Sequence, residues 1–253
     1  MTHGIELDRL RELLDPGRAP EIPEVPAEAG YLDLLPPEQS RPRTPAQAAM
    51  HNPLVAAVYE RWWRPLGGLL MGLHGPRMAE ERGNAARMLG LTGEQLVLDV
   101  ACGPGNFTRG FGEALSGKGF AVGLDVSPPM LARAVRDNRG DRVAYLRADA
   151  RTLPFPDLTF DAVGCFAALY LVPQPFVVLD ELIRVLAPGG RVAVLTSCRT
   201  GVPGLRGPET LIARTAGLRL FERHDITRVF ERHGLRDIDQ KVTGFAQFVT
   251  ARK

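Results

Sequence analysis

Residues 96–105 read Leu-Val-Leu-Asp-Val-Ala-Cys-Gly-Pro-Gly. An apolar run ends in an acid, Asp99, and two glycines follow at Gly103 and Gly105. A parallel strand covered on both faces reads apolar throughout instead of alternating. Glycine lets the backbone turn tightly and come close to a ligand without a Cβ in the way. The stretch therefore predicts a buried strand, a tight loop and the start of a helix. A Gly-x-Gly turn is also common where no ligand binds, so its meaning depends on what surrounds it.

Downstream, apolar strand-like runs alternate with helical periodicity. Strands are expected at 96–100, 120–125, 143–147, 160–166 and 191–196. Helices are expected at 106–115, 128–138 and 174–186, the last ending at Pro188-Gly189-Gly190. Strands alternating with helices make a parallel, doubly wound sheet through right-handed crossovers. A Gly/Pro-rich loop at 201–208 precedes a helix near 225–232 and a closing hairpin, 235–242 with 245–251, turned at Thr243-Gly244.

Upstream, the first 45 residues hold eight prolines, nine acids and five arginines. Proline fixes φ and removes a donor, so most of this extension should drape over the body or move freely. A short amphipathic helix at 5–14 is the exception, with Ile5, Leu7, Leu10, Leu13 and Leu14 sharing much of one face. Residues 46–91 read as a helical cap, with a segment from Pro76 to Leu89 closed by Gly90. Tyr59, Trp62 and Trp63 in this cap either line a pocket or pack it onto the sheet. The domain boundaries expected are thus 1–45, 46–91 and 92–253.

Composition narrows the class. A net charge of +2, with only three lysines among 31 basic residues, gives no concentrated basic face of the kind a dedicated nucleic-acid binder needs. No apolar stretch approaches the roughly 20 residues that cross a bilayer. The three cysteines, Cys102, Cys165 and Cys198, lie far apart, which argues against a disulfide framework and a structural zinc site. A reducing, cytoplasmic setting is expected, with no metal.

The loop itself discriminates among nucleotides. A dinucleotide fold wants G-x-G-x-x-G, and here the third position is Thr108. A Walker loop would end in Gly-Lys-Ser/Thr, and none is present. A nucleoside cofactor without a pyrophosphate fits better. Asp125, at the tip of the second strand, is placed to accept from two ribose hydroxyls; helix capping beside Ser127 is its other role. Asp149, in R-A-D-A after the third strand, completes a set of three acids at successive strand tips.

Together V-L-D-V-A-C-G-P-G, G-L-D-V-S-P-P-M-L, R-A-D-A-R-T-L-P-F, F-D-A-V, L-I-R-V-L-A-P-G-G-R and G-F-A-Q-F-V-T-A-R-K resemble the class I S-adenosylmethionine-dependent methyltransferases over residues 91–253. Within them the likeness is to the ubiquinone/menaquinone C-methyltransferase-like, methyltransferase type 11 branch. The resemblance implies a seven-stranded sheet of order 3-2-1-4-5-7-6 with strand seven antiparallel. It also implies S-adenosyl-L-methionine as cofactor. Gly103 and Gly105 would border the methionine portion with Asp99 beside it, Asp125 would hold the ribose, and Ala101, Asn106, Val126 and Met130 would also contact the cofactor. Asp149 and Ala150 would meet the adenine, and Phe166 would flank the cofactor.

The sulfonium carries its own leaving group, so the protein mainly aligns nucleophile and methyl and excludes water. A base is not obligatory. Tyr170 stands where relatives of that branch carry a histidine, and an unperturbed tyrosine titrates near 10. Tyr170, His74, Tyr59 and His51 are the candidates for orienting or deprotonating an acceptor; His224 beside Asp225 reads as a surface or helix-capping residue. The expected activity is methyl transfer to a small, lipophilic acceptor. Gly30–Pro36, G-Y-L-D-L-L-P, resembles the stretch preceding the core of 23S rRNA guanine-N1 methyltransferases, which adds an RNA acceptor as an alternative without that family's zinc finger. A non-catalytic binder of the cofactor is a third reading. Acceptor identity, base and oligomeric state are left open by the sequence.

Overall fold

The computed structural model describes residues 3–19, 29–36, 48, 78–202 and 206–253. Eight strands build one sheet: β1 (Leu32–Asp33), β2 (Leu96–Val100), β3 (Phe120–Asp125), β4 (Val143–Arg147), β5 (Phe160–Phe166), β6 (Leu186–Ser197), β7 (Arg236–Thr243) and β8 (Ala246–Arg252). Their spatial order is β1-β4-β3-β2-β5-β6-β8-β7. All neighbours are parallel except β8, which runs antiparallel to both β6 and β7.

Removing β1 leaves the expected order of seven strands, so the correction is one added edge strand. Two residues are too short to show a period, which is why the sequence gives no sign of it. β1 pairs with β4 by Leu32 opposite Leu146 and Asp33 opposite Arg147, and Pro36 lies just beyond it, at the sheet edge where proline is tolerated.

The helices are α1 (His3–Glu12), α2 (Met78–Met88), α3 (Asn106–Ala114), α4 (Pro128–Asp137), α5 (Pro175–Val185), α6 (Arg206–Ala216) and α7 (Asp225–Arg232), with a 3-10 turn at Leu169–Leu171. α1 lies two residues earlier than the periodicity placed it. Its Leu7 and Leu10, with Leu14 just after it, are buried in the core, as the apolar face of the expected helix implies, whereas Ile5 is exposed. α6 starts at Arg206, inside the stretch expected to be a loop; Pro208 falls in its first turn, where the missing N–H has no helical partner to lose. α2 closes at Gly90, whose φ of 66° is the left-handed stop expected there. The rest of the cap, including His51, Tyr59, Trp62, Trp63 and His74, lies outside the described residues.

Each face of the sheet has its own core. Leu98, Val100, Val122, Leu146 and Val163 point to one side, where they meet α1, α5 and α7. Val97, Ala121, Tyr145 and Ala162 point to the other, under α2, α3 and α4. This double burial is what the unbroken apolar strands report, and it fixes the carboxyl ends of β2, β3 and β4 as neighbours on one edge.

Candidate functional site

At that edge the loop after β2 turns through residues with positive φ: Ala101 (57°), Gly103 (55°) and Gly105 (80°). The loop is tied to its neighbour by Cys102 N–H donating to the Leu124 carbonyl, 3.0 Å. The two glycines serve different ends. A Cβ on Gly105 would collide with the Tyr145 hydroxyl and approach Ala134 Cβ to 2.9 Å, so packing demands a glycine there. Among the described residues, a Cβ on Gly103 would meet nothing within 4 Å. No described residue crowds Gly103, as a residue lining a ligand site requires.

A polar scaffold behind the loop holds it in place. Arg82 Nη2, from α2, donates to Asn106 Oδ1 at 2.8 Å, and Asn138 Nδ2 donates to the Pro104 carbonyl at 2.8 Å. Tyr145 Oη donates to the Asn138 carbonyl at 2.7 Å. The Asn106 side chain is thus engaged with the loop's own support. Arg82, Asn138 and Tyr145 are invisible to motif reasoning because they lie 20 to 40 residues from the loop in sequence.

The first acid, Asp99, is 1% exposed. Thr108 Oγ1 donates to its Oδ2 at 2.6 Å. Burial raises the Asp99 pKa to about 7, against the opposing pull of the Thr108 hydrogen bonds. Thr108 stands at the position where a dinucleotide loop has its third glycine, so that departure supplies a hydrogen bond to the acid. Gly123, in the adjacent strand, leaves room for it: a Cβ there would lie 2.8 Å from Thr108 Oγ1.

The second acid, Asp125, is 9% exposed at the tip of β3. Its Oδ2 accepts from Gly103 N–H and its Oδ1 from Ser127 N–H, each at 2.8 Å. Of the two roles expected of this stretch, helix capping is present: Ser127 caps α4 by accepting from Met130 N–H. Met130 is buried, whereas Val126 keeps 37% of its surface exposed beside Asp125. The third acid, Asp149, is 22% exposed and paired with Arg151, whose Nε lies 3.0 Å from both carboxylate oxygens. Ala150 is buried next to it. Phe166, at the end of β5, packs its ring 4.9 Å from that of Phe107 in α3.

Of the acceptor-side candidates, Tyr170 lies in the 3-10 turn after β5, half-buried against the core, with its carbonyl accepting from Arg219 N–H at 2.9 Å. His224 precedes α7 and makes no side-chain cap. A recess of about 100 Å³ at the ends of β6 and β7 is lined by Cys198, Arg199, Glu222 and Arg223 among others, and none of the three strand-tip acids lines it. Among the described residues no group of three or more His, Cys, Asp or Glu is arranged to hold a metal ion, and no helix is long and apolar enough to cross a membrane. The three cysteines are buried and unlinked.

Residues 97–190 match a family model described as a methyltransferase domain. An uncharacterized chloroplastic methyltransferase of Arabidopsis thaliana is 40% identical over 151 residues, covering 55% of this chain and 40% of that protein. A demethylmenaquinone methyltransferase of Thermus thermophilus is 46% identical over 101 residues, covering 39% of this chain and 46% of its own length. The chain thus spans less than half the length of these two relatives. In structure, a phosphoethanolamine N-methyltransferase of Haemonchus contortus, solved with S-adenosyl-L-methionine, superposes with a TM-score of 0.60 at 17% identity, over 69% of this chain and 52% of that one. That likeness shows a shared fold.

Proposed function

With a class I S-adenosylmethionine-dependent methyltransferase domain as the core of this chain, we propose that the protein moves the methyl group of that cofactor to a small, lipophilic acceptor. The observation that carries the reading is the loop after β2: no described residue lies within 4 Å of a Cβ built on Gly103, and Asp99 and Asp125 lie beside it at adjacent strand tips. Demethylmenaquinone methyltransferases among the relatives support an acceptor of quinol-like character.

The residues present suit the cofactor chemically. Bound S-adenosylmethionine supplies a methyl already activated by its sulfonium. Asp125, fixed by two backbone N–H groups, offers a charged acceptor to paired ribose hydroxyls. Val126 offers an exposed apolar surface to a base. Asp99 offers a carboxylate whose ionisation is favoured by a cation, so the methionine end with its ammonium complements it. Phe107 and Phe166 pack as an apolar wall that excludes water. Alignment of the acceptor then accounts for the rate, with Tyr170, Tyr59 and His74 as the candidates for holding or deprotonating its nucleophile.

The test is calorimetric titration with S-adenosylhomocysteine followed by transfer of radiolabelled methyl from the cofactor to a panel of quinols, phenols, amines and total RNA. Micromolar binding and label in the lipophilic quinols or phenols are expected. Label in RNA alone would replace the acceptor class, and binding without turnover on any acceptor would leave a cofactor-binding protein.

A further inference from the structure

The N-terminal strand does more than finish the sheet edge. Arg147, the last residue of β4, is 4% exposed, and its guanidinium reaches two segments at once. Nη1 donates to Asp33 Oδ1 and Oδ2 at 2.9 and 2.7 Å and to the Leu35 carbonyl at 3.1 Å. Nε donates to the Val126 carbonyl at 3.2 Å. Val126 directly follows Asp125, so the N-terminal segment is joined through one side chain to the loop that carries the second strand-tip acid.

We infer that residues 31–35 are a strap that positions the nucleoside end of the cofactor site, with Asp33 as a positioning residue acting through Arg147 and Val126. This rests on the reading of Asp125 and Val126 as the nucleoside-binding pair. The strap is anchored on both faces of the sheet, Leu32 and Leu34 in one core and Tyr31 against the other. It is also laddered to β4, with Leu34 N–H donating to the Arg147 carbonyl at 2.9 Å. Asp33 is preset for its partner, its Oδ1 accepting from Leu35 N–H at 3.0 Å. Apolar anchoring and ladder bonds alone would cap an edge. Arg147 is buried while 35% of the Asp33 side chain stays exposed; an ion pair of this kind is a poor source of net stability, and what it supplies is fixed geometry. Here the fixed geometry is the position of the Val126 carbonyl.

The experiment measures affinity for S-adenosylhomocysteine and for adenosine by calorimetry, with melting temperature alongside, on the full chain. Asp33→Ala is expected to weaken both ligands by about tenfold, within the range of ordinary site-to-site couplings. Asp33→Glu should recover part of the loss. Arg147→Lys retains the charge but loses the fork that spans two partners, so it should weaken adenosine similarly, and it carries the test should Asp33→Ala fail to fold. Leu10→Ala, in the buried face of α1, serves as the control: it should lower the melting temperature and leave both affinities unchanged. Unchanged affinities in Asp33→Ala and Arg147→Lys, or an equal loss in Leu10→Ala, would overturn the strap alone. Absence of S-adenosylhomocysteine binding by the wild type would overturn the cofactor reading and the strap with it.

Discussion

The strand-tip acids fall into an inner pair and an outer one, and they are neutralised by different means. Asp99 and Asp125, at the tips of the adjacent strands β2 and β3, are nearly inaccessible and are met by a hydroxyl and by backbone N–H groups. Asp149, after β4, is partly exposed and carries the Arg151 guanidinium on it. Buried carboxylates solvated by dipoles keep their appetite for a cation, whereas a carboxylate already holding one does not. On the proposed reading, the difference teaches where the ligand's charge would sit: its cationic end toward Asp99, its uncharged ribose and adenine toward Asp125 and Asp149.

Removing Asp125 should break the site most completely. Asp125→Ala deletes a charged acceptor, and a hydrogen bond to a charged group contributes about 1.5–3 kcal/mol, so the loss of two should weaken S-adenosylhomocysteine by about a hundredfold or more. Calorimetry checks this, and binding within threefold of the wild type would show that the inner acid does not hold the nucleoside.

The two glycines of the loop sharpen the same contrast between support and site. Gly105→Ala forces a Cβ against Tyr145 and Ala134 at a positive φ, and should destabilise the fold by about 2–3 kcal/mol in chemical denaturation. Gly103→Ala adds its Cβ where no described residue lies within 4 Å and should cost only about 1–2 kcal/mol, the strain of its left-handed φ. Its cofactor affinity should nonetheless fall at least tenfold. If both variants lost stability equally and Gly103→Ala bound normally, the open side of the loop would not be the ligand's side.

How much of this was legible follows from where each signal is stored. β2, β3, β4 and β5 were readable to the residue because strands buried on both faces are written as contiguous apolar runs, and Asp99, Asp125 and Asp149 stood out as the acids ending or following them. The motif positions were legible because a tight loop needs local chemistry. The support was not: Arg82, Asn138, Tyr145 and Arg147 act across the fold, and a lone arginine or tyrosine in an ordinary strand or helix advertises no partner. β1 was missed for the opposite reason, being too short to carry a period and set among prolines. Thr108 lay between these cases, visible as a departure from a glycine pattern but not as the donor to Asp99.

Asp99 separates stability from binding. Its folded pKa, about 7, lies above the ordinary 3.8, so the folded state holds its proton longer than the unfolded chain does. The Asp99 contribution to stability is then greatest below about pH 4, falls as pH rises toward 7 and levels off above it. Asp99→Asn removes that penalty and keeps an acceptor for Thr108. At pH 8 it should be more stable than the wild type, by at most roughly 4 kcal/mol, and it should bind S-adenosylhomocysteine about tenfold more weakly. The wild type should also bind more tightly at pH 8 than at pH 6 and release protons on binding at pH 6, seen as a buffer-dependent calorimetric enthalpy. A variant that lost stability at pH 8 would mean that Asp99 is ionised and satisfied before any ligand arrives.

The outer acid should give the smallest effect, and its smallness is informative. Arg151 and Asp149 are both partly exposed, so their pair adds well under about 1 kcal/mol to stability. Arg151→Ala should leave the melting temperature nearly unchanged. It also removes the guanidinium from the Asp149 oxygens, while the backbone N–H of residue 151 still donates to Oδ1 at 2.8 Å and holds the carboxylate in place. Against an uncharged adenine, a carboxylate held in this way is at least as good an acceptor, so the dissociation constant for adenosine should move by no more than about threefold. A tenfold loss would instead mean that the guanidinium itself meets the ligand, and the outer end of the site would then be built to receive a negative or electron-rich group.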